Sequence, residues 1–431
     1  MIEVRRFTQL SELEYLRESI DRLNLASPRP DPFSTFAFYE NFLRNDEFAP
    51  PDGWMLWFLA AFIDDALVGY LPLKQSQFRV GWLRPTKVDF LVTHDTDRPH
   101  VVAEANYIAA VCEAFYRYLL VHRHEWSQLE FQQQDSTSPL WPPPIALNGC
   151  LLREWPSLEN ATIVVRWDSL ETYFRSFSKK FRSNVSRQMR TLLDSGDVEV
   201  MSSSDPAVTA DLFALCLSIE PRSWKSQADA SVGRHPKRIE YFYGLLDPRQ
   251  PMKLSVHVVL LNGLPIAGLI TGSFNSNLYA LYIVYDDTRK NLAPGSAVLL
   301  LGMRQAILAR CGVFNLMSGF AYYKERWRAD VTPARNAQIY RVGSLLYWRR
   351  IFGDLKRRLG SSRSSEAGSS LFNPLRREVE SRNHEEVAAS VQVSSEERVR
   401  VAALIERIRR GPCEYLSHAS LAAIMPFDTQ R

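Results

Sequence analysis

Two distant stretches of this chain read alike. Residues 59–63 form an apolar run, Asp64-Asp65 interrupts it, and residues 66–73 resume it. Residues 256–261, Asn262-Gly263 and residues 264–270 repeat the pattern, with what reads as one extra residue at the turn. β-rich runs joined by such dipeptides are hairpin signals, and Asn-Gly is the strongest of them. A helical pattern precedes each hairpin, at Asn41-Phe42-Leu43 and at residues 239–243. The alternative is chance likeness between two common hairpins. Taken as duplication, the pattern predicts two related units of the α/β (α+β) class, each a mixed twisted sheet flanked by helices.

The expected boundaries are 1–158, 159–343 and a C-terminal extension, 344–431. The first unit should end in a helix over 101–122 and a strand near 128–132. Pro139 and Pro142-Pro143-Pro144 then make a stiff crossover. A chain of 431 residues suits two or three domains. With 46% apolar and 23% charged residues it reads as soluble and globular, and a net charge of +4 does not by itself indicate nucleic-acid binding. The five cysteines show no CxxC spacing, which predicts reduced thiols and a cytoplasmic setting. No secretory leader is expected behind Glu3, Arg5 and Arg6, and the longest apolar run, 54–63, is too short to span a bilayer. No metal site is expected, since there is no HExxH and His122 and His124 lack a third ligand.

Chemistry is most visible near residue 290. An alternating apolar strand over 278–284 ends at Asp286-Asp287. A loop with Arg289 and Lys290 follows, and Pro294-Gly295-Ser296-Ala297 opens an apolar helix. The first N–H groups of a helix point outward at the positive end of its dipole, a corner that suits phosphate. The expected cofactor-binding residues are Arg289, Gly295, Ser296 and Ala297. Residues 90–100 of the first unit run from strand to helix without a glycine and with acidic residues, so no cofactor is expected there.

Four stretches carry a family resemblance: residues 32–36; residues 178–187; Glu220 with Ser223-Trp224-Lys225; and Tyr285-Asp286, Ala293-Pro294-Gly295, Gly319, Tyr323-Lys324 and Trp327. With them the chain resembles the acyl-CoA N-acyltransferases of the GNAT superfamily, in the two-copy subgroup of CelD-like and FemAB-like proteins. It departs from the usual glycine-rich loop in having Gly295 alone, behind a proline. The resemblance implies tandem GNAT-like units with acyl-CoA in the second and no metal. It also implies direct acyl transfer to an amine without a covalent intermediate, in envelope or exopolysaccharide synthesis. The thioester carbonyl would meet a backbone N–H where the central strand splays, near Ile283, Val284 or Tyr285.

Glu220 reads either as the base for the amine proton or as a cap at Pro221. Tyr282 and Tyr285 read as donors to the leaving thiolate or as strand packing. Trp224 and Lys225 form a pocket wall or an ordinary surface. Tyr323 and Lys324 meet a substrate anion or solvent. A helix over 174–193 carries Lys179, Lys180, Arg182, Arg187 and Arg190 without an acid between 178 and 191, either as a solvated face or against an anionic acceptor. The acceptor is expected in a groove between the units, against Lys179, Lys180, Arg182, Trp224, Lys225 and Lys324. Two other functions stand beside acyl-CoA transfer: a FemAB-type transferase using aminoacyl-tRNA, the one reading that brings in nucleic acid, and a degenerate binding or membrane-surface module.

The extension begins with an amphipathic helix, 344–359. Its stripe of Trp348, Ile351, Phe352, Leu355 and Leu359 should pack on the second unit or make peripheral contact with an anionic membrane. A Ser/Gly linker over 360–370 and a helix over 394–410 follow, the latter with Ser394 as N-cap and Glu397 completing a capping box.

Overall fold

The computed structural model describes residues 1–45, 53–92, 96–226, 231–319, 322–360 and 393–424. Residues 93–95 of the first-unit loop and nearly all of the expected 360–370 linker lie outside the described residues. The chain folds as two compact units. The first takes Met1–Ala161, Ser318–Glu325 and the chain from Val331 through its last helix. The second takes Thr162–Met317, Arg326–Asp330 and the C-terminal helices. The sequence pattern gives residues 331–343 to the second unit, whereas contacts give them to the first.

In the first unit β1 (Glu3–Phe7) leads through α1 (Arg17–Ala26) and α2 (Phe36–Asn45) to the hairpin β2 (Trp54–Ile63) and β3 (Ala66–Gln77). Then come β4 (Thr86–Phe90), β5 (Val102–Ala103), α3 (Ile108–Val121), β6 (Gln128–Asp135) and β7 (Cys150–Pro156). The helix expected from 101 thus begins later, because Val102 and Ala103 pair with β3. Strands β1 to β4 are antiparallel neighbours, and β4 lies parallel to β6. Residues 32–36 are a buried turn: Asp31 caps Phe33 N–H at 2.7 Å, and the Tyr70 hydroxyl donates to the Ser34 carbonyl at 2.6 Å.

The second unit repeats this plan. After β8 (Asn160–Val164), α4 (Leu170–Arg175) and α5 (Lys179–Asp194) come β9 (Val198–Ser203), α6 (Pro206–Ile219) and α7 (Pro236–Gly244). The hairpin β10 (Lys253–Leu261) and β11 (Leu264–Phe274) leads to β12 (Asn277–Tyr285), α8 (Pro294–Leu308) and β13 (Val313–Ser318). Strands β9 to β12 are antiparallel, and β12 lies parallel to β13. The helix expected over 174–193 is two helices, because Ser178 turns extended and caps Phe181 N–H at 3.3 Å.

Both hairpins turn on two residues with positive φ: Asp64 and Asp65 in the first, Asn262 and Gly263 in the second. The extra residue expected at the second turn is absent. Each hairpin instead carries one bulge at the same distance from its turn, between Ala61 and Phe62 and between Val259 and Leu260. A bulge bends and twists its strand locally, so the shared position supports duplication more strongly than the shared turn.

The chain then forms α9 (Tyr322–Arg326), β14 (Asp330–Thr332), β15 (Ala334–Arg341) and α10 (Leu345–Gly360). β15 inserts between β6 and β7 and pairs antiparallel with both. α10 turns Leu346 inward, half-buries Ile351 and leaves Trp348, Phe352 and Leu355 of the stripe exposed, while the Leu359 side chain lies outside the described residues. Finally α11 (Ser395–Arg409), β16 (Glu414–Leu416) and α12 (His418–Ile424) join the second unit. Val401, Ile405 and Ile408 are buried as α11 lies on α6, and β16 extends the sheet beside β9. Ser394 caps Glu397 N–H at 3.1 Å, but the Glu397 carboxylate meets Arg222 at 3.4 Å instead of completing a box.

Candidate active site

The site region of the second unit starts from a strand that parts from its neighbour. β12 and β13 pair only from Asn277↔Val313 to Tyr279↔Asn315, although β12 continues to Tyr285. The last residues of β12 keep β11 on one side, through Ala267↔Tyr285. Among the described residues, no pairing of their other edge with β13 follows Tyr279.

At the open end Asp286 organises the loop. Its carboxylate accepts from Thr288 N–H at 3.0 Å and receives Arg222 Nε at 3.0 Å, with both side chains buried. Arg222 also donates to the Pro265 carbonyl at 3.2 Å. A helical stretch over Asp287–Leu292, kinked at Arg289, follows, and Ala293 adopts a left-handed φ of 51° before Pro294 starts α8. A non-glycine residue there costs about 1–2 kcal/mol.

α8 begins at the expected Pro294-Gly295-Ser296-Ala297 corner. Ser296 and Ala297 N–H groups turn inward onto the Ala293 carbonyl, at 3.0 and 3.4 Å. The Gly295 N–H is not among these inward bonds. A Cβ on Gly295 would meet the Tyr285 ring at 3.2 Å, so that ring fills the space the glycine leaves. Arg289 is partly exposed, 3.9 Å from Asp286, and Lys290 is exposed. The corner thus carries cationic charge, with two of its first amides bonded within the helix turn. α5 packs beside this turn and α8, and Lys179 and Lys180 in its first turn are exposed. Arg182 is spent locally, donating to the Phe177 carbonyl at 3.0 Å.

Glu220, Trp224, Lys225 and Tyr282 come together on the other side of Arg222. The Glu220 carboxylate is buried and accepts from Ser231 Oγ at 2.7 Å, Val232 N–H at 2.8 Å, Gly233 N–H at 2.7 Å and the Tyr282 hydroxyl. Burial alone would raise its pKa, but the bonds from Tyr282, Ser231, Gly233 and Val232 outweigh burial and hold it below the usual range. A carboxylate so stabilised is a weak base. Burial and the Glu220 charge push the Tyr282 phenol far above its ordinary value, and its proton is committed to Glu220. Lys225 Nζ lies 3.7 Å from the Tyr282 ring centroid, a cation–π contact that holds the amine over the ring. Trp224 is 38% exposed, and its N–H donates to Asp287. Tyr285 differs from Tyr282: burial and then Asp287 raise its pKa, and it lies against the start of α8.

Lys324 belongs to the first unit. It is buried, and its Nζ donates to the Ser318 carbonyl at 3.4 Å. Desolvation lowers its pKa to about 8 against the opposing pull of Asp97. Asp97 in turn accepts from Ser318 Oγ at 2.5 Å and Asn160 Nδ2 at 2.6 Å. The Tyr323 side chain lies outside the described residues. Among the described residues no group of three His, Cys, Asp or Glu is placed to hold a metal ion, and no helix is long and apolar enough to cross a membrane. Sequence reasoning did not single out Arg222, Asp287 or the Ser231–Gly233 turn. Arg222 stands between two quoted stretches, Glu220 and Ser223-Trp224-Lys225, and that position was the one signal the sequence offered.

The order of elements from β9 to β13, with a parallel pair that splays around α8, defines the GNAT fold. Residues 179–325, most of them in the second unit, match the family model described as an acetyltransferase (GNAT) domain. Among solved structures, FemX aligns with a TM-score of 0.52 at 12% identity, covering 80% of this chain and 99% of FemX. The two share a fold across both units. The C-terminal DUF2156 domain assigned to a lysylphosphatidylglycerol synthetase of Agrobacterium fabrum aligns at 0.47 and 11% identity, over 81% of this chain and 97% of that one. A tandem GNAT protein from the clavulanic acid biosynthesis pathway aligns at 0.36 and 12%, over 80% and 99%. No curated protein matches the sequence.

Proposed function

We propose that the chain is an N-acyltransferase that moves an acyl group, acetyl in the simplest case, from acyl-CoA directly to an amine. The observation that carries this reading is the parting of β12 from β13 after Tyr279 inside an acetyltransferase domain. A strand edge freed in this way offers fixed N–H donors to a thioester oxygen, which is where charge develops in acyl transfer. The amine nitrogen bonds to the carbonyl carbon and gives up a proton to solvent, the C–S bond breaks, and the thiolate takes a proton from a donor that solvent then reprotonates. Tyr285 is the donor we assign, because it keeps its proton at neutral pH and lies at the loop. Glu220 and Tyr282 act as positioning groups that fix the wall of the site. Arg289, Lys290 and the Gly295 N–H hold the pyrophosphate, with Ser296 and Ala297 lining it. Lys179, Lys180 and Lys225 of the second unit bind the acceptor. Resemblance to CelD-like and FemAB-like proteins points to an amine of an envelope or exopolysaccharide precursor. Five free cysteines support a reducing, cytoplasmic setting.

Calorimetry with acetyl-CoA tests the reading. The parent should bind, and Arg289→Glu should weaken binding by about tenfold, as expected for a lost phosphate contact of about 1.4 kcal/mol. No binding by the parent at any accessible acetyl-CoA concentration would sink it. One observation favours a second reading: with the Ser296 and Ala297 amides turned inward, few backbone donors face a pyrophosphate. A transferase using aminoacyl-tRNA needs no such donors. A parent that ignores acetyl-CoA but retains aminoacyl-tRNA on a filter would establish that alternative.

A further inference from the structure

Two exposed aromatic elements of the first unit lie at one end of its sheet. The loop joining β3 to β4 is closed by Phe78 N–H on the Pro85 carbonyl at 3.3 Å and by reciprocal Val80–Leu83 bonds of 2.9 and 3.2 Å. Gly81, with φ +64°, makes its tip, and Trp82 beside it is 88% exposed. The loop carries Arg79 and Arg84 and no acidic residue.

Hydrogen bonds connect the base of this loop to the start of α10. The Thr86 carbonyl accepts Ser127 N–H at 2.9 Å, and the Ser127 carbonyl accepts Arg341 N–H at 3.1 Å and Ser344 Oγ at 3.3 Å. On α10, Trp348, Phe352 and Leu355 are 48%, 62% and 49% exposed, and the Trp348 and Phe352 rings stack at 6.0 Å. The one acid of the helix, Asp354, is engaged by Arg153 at 3.3 Å and Arg350 at 3.4 Å. The helix sequence supplies Arg349, Arg350, Lys356, Arg357 and Arg358 against it.

We propose that this end of the first unit docks on an anionic lipid bilayer, with Trp82 and the Trp348–Phe352–Leu355 stripe entering the head-group region. The proposal is independent of the acyl-transfer reading. Exposed apolar clusters of this kind mark interaction sites. A protein interface gathers aromatics into a patch core inside a polar rim. Here the aromatics occupy two separate elements, one of them a turn tip, and cations are interleaved with them. That arrangement complements a negatively charged head-group layer, where Trp is favoured and each nearby Lys or Arg adds attraction.

Co-sedimentation of the full chain with vesicles tests this. Vesicles of phosphatidylcholine mixed with phosphatidylglycerol should pellet the protein at low salt, release it at high salt, and outcompete phosphatidylcholine alone. Arg79→Gln with Arg84→Gln should lower partitioning about fivefold per charge. Trp82→Ser and Phe352→Ser should each weaken it further, with the thermal midpoint unchanged because both side chains are exposed. A parent that ignores the anionic vesicles overturns the proposal, as do Trp82→Ser and Phe352→Ser variants that bind like the parent. If Trp82→Ser instead abolishes self-association in ultracentrifugation and leaves lipid binding alone, the face joins two copies of the chain and the proposal fails.

Discussion

Glu220 and Lys324 are both buried ionisable groups, and their surroundings drive them in opposite directions. Glu220 has four donors, so its folded pKa lies below the unfolded one. The stability it contributes is present above the ordinary carboxylate value of about 4.3 and is lost as pH falls through the depressed folded value. Glu220→Gln leaves backbone donors facing an amide and should cost about 1–3 kcal/mol at neutral pH. Urea denaturation should show that gap closing in acid, and a gap that stays constant at low pH would mean the charge is unimportant. Lys324 is desolvated, with its folded pKa lowered to about 8. Between that value and the ordinary lysine value of about 10.4 the unfolded chain holds more protons, so stability rises with pH across the window. Lys324→Met should flatten that rise, and an unchanged slope would show that the amine is better solvated than its burial implies.

At the scale of elements, α11 reaches the turn before α8 through a relay of charge. Glu397 meets Arg222, Arg222 holds Asp286, and Asp286 holds Thr288 at the turn before α8. Glu397→Ala should therefore raise the KM for acetyl-CoA several-fold with little change in kcat, as expected for loss of a partly exposed ion pair worth up to about 1 kcal/mol. Equal losses in both constants would point to general disruption. The hairpins are a second case. Gly69 has room for hydrogen alone, since a Cβ there would approach Val111 Cγ1 to 2.6 Å. Gly69→Ala should cost about 1–3 kcal/mol in chemical denaturation, by overpacking β3 against α3. Much of this level could be read from the sequence, because turn dipeptides and apolar alternation are local signals. Asp64-Asp65 and Asn262-Gly263 marked both hairpins, and the apolar run after Pro294 marked α8. The rest depends on contacts between distant residues. Nothing local in the Glu220 stretch says that four donors from elsewhere will occupy its carboxylate. Nothing in the 344–359 stripe says that Trp348, Phe352 and Leu355 stay exposed.

At the scale of the molecule, the duplicated plan has diverged at its loops. Where the second unit has a basic turn and α8, the first ties down residues 96–100: Arg98 meets Asp135 at 3.3 Å, and His100 meets Asp31 at 3.2 Å. We therefore expect one acetyl-CoA per chain by calorimetry, and a stoichiometry of two would refute the assignment of the first unit as cofactor-free. The boundary between the units was not legible because β15 carries an ordinary strand pattern that does not name its sheet. It lies between β6 and β7, so residues 1–161 alone should not give a stable fold, as the circular dichroism and thermal melt of that fragment can show. The same insertion sets a timetable during synthesis. Chains emerge at about 5–20 residues per second, so β6 and β7 wait for their shared partner for roughly 10–40 s. Through that interval each has an edge open to pairing, and the nascent first half is in its most sticky state while the second half is still being made.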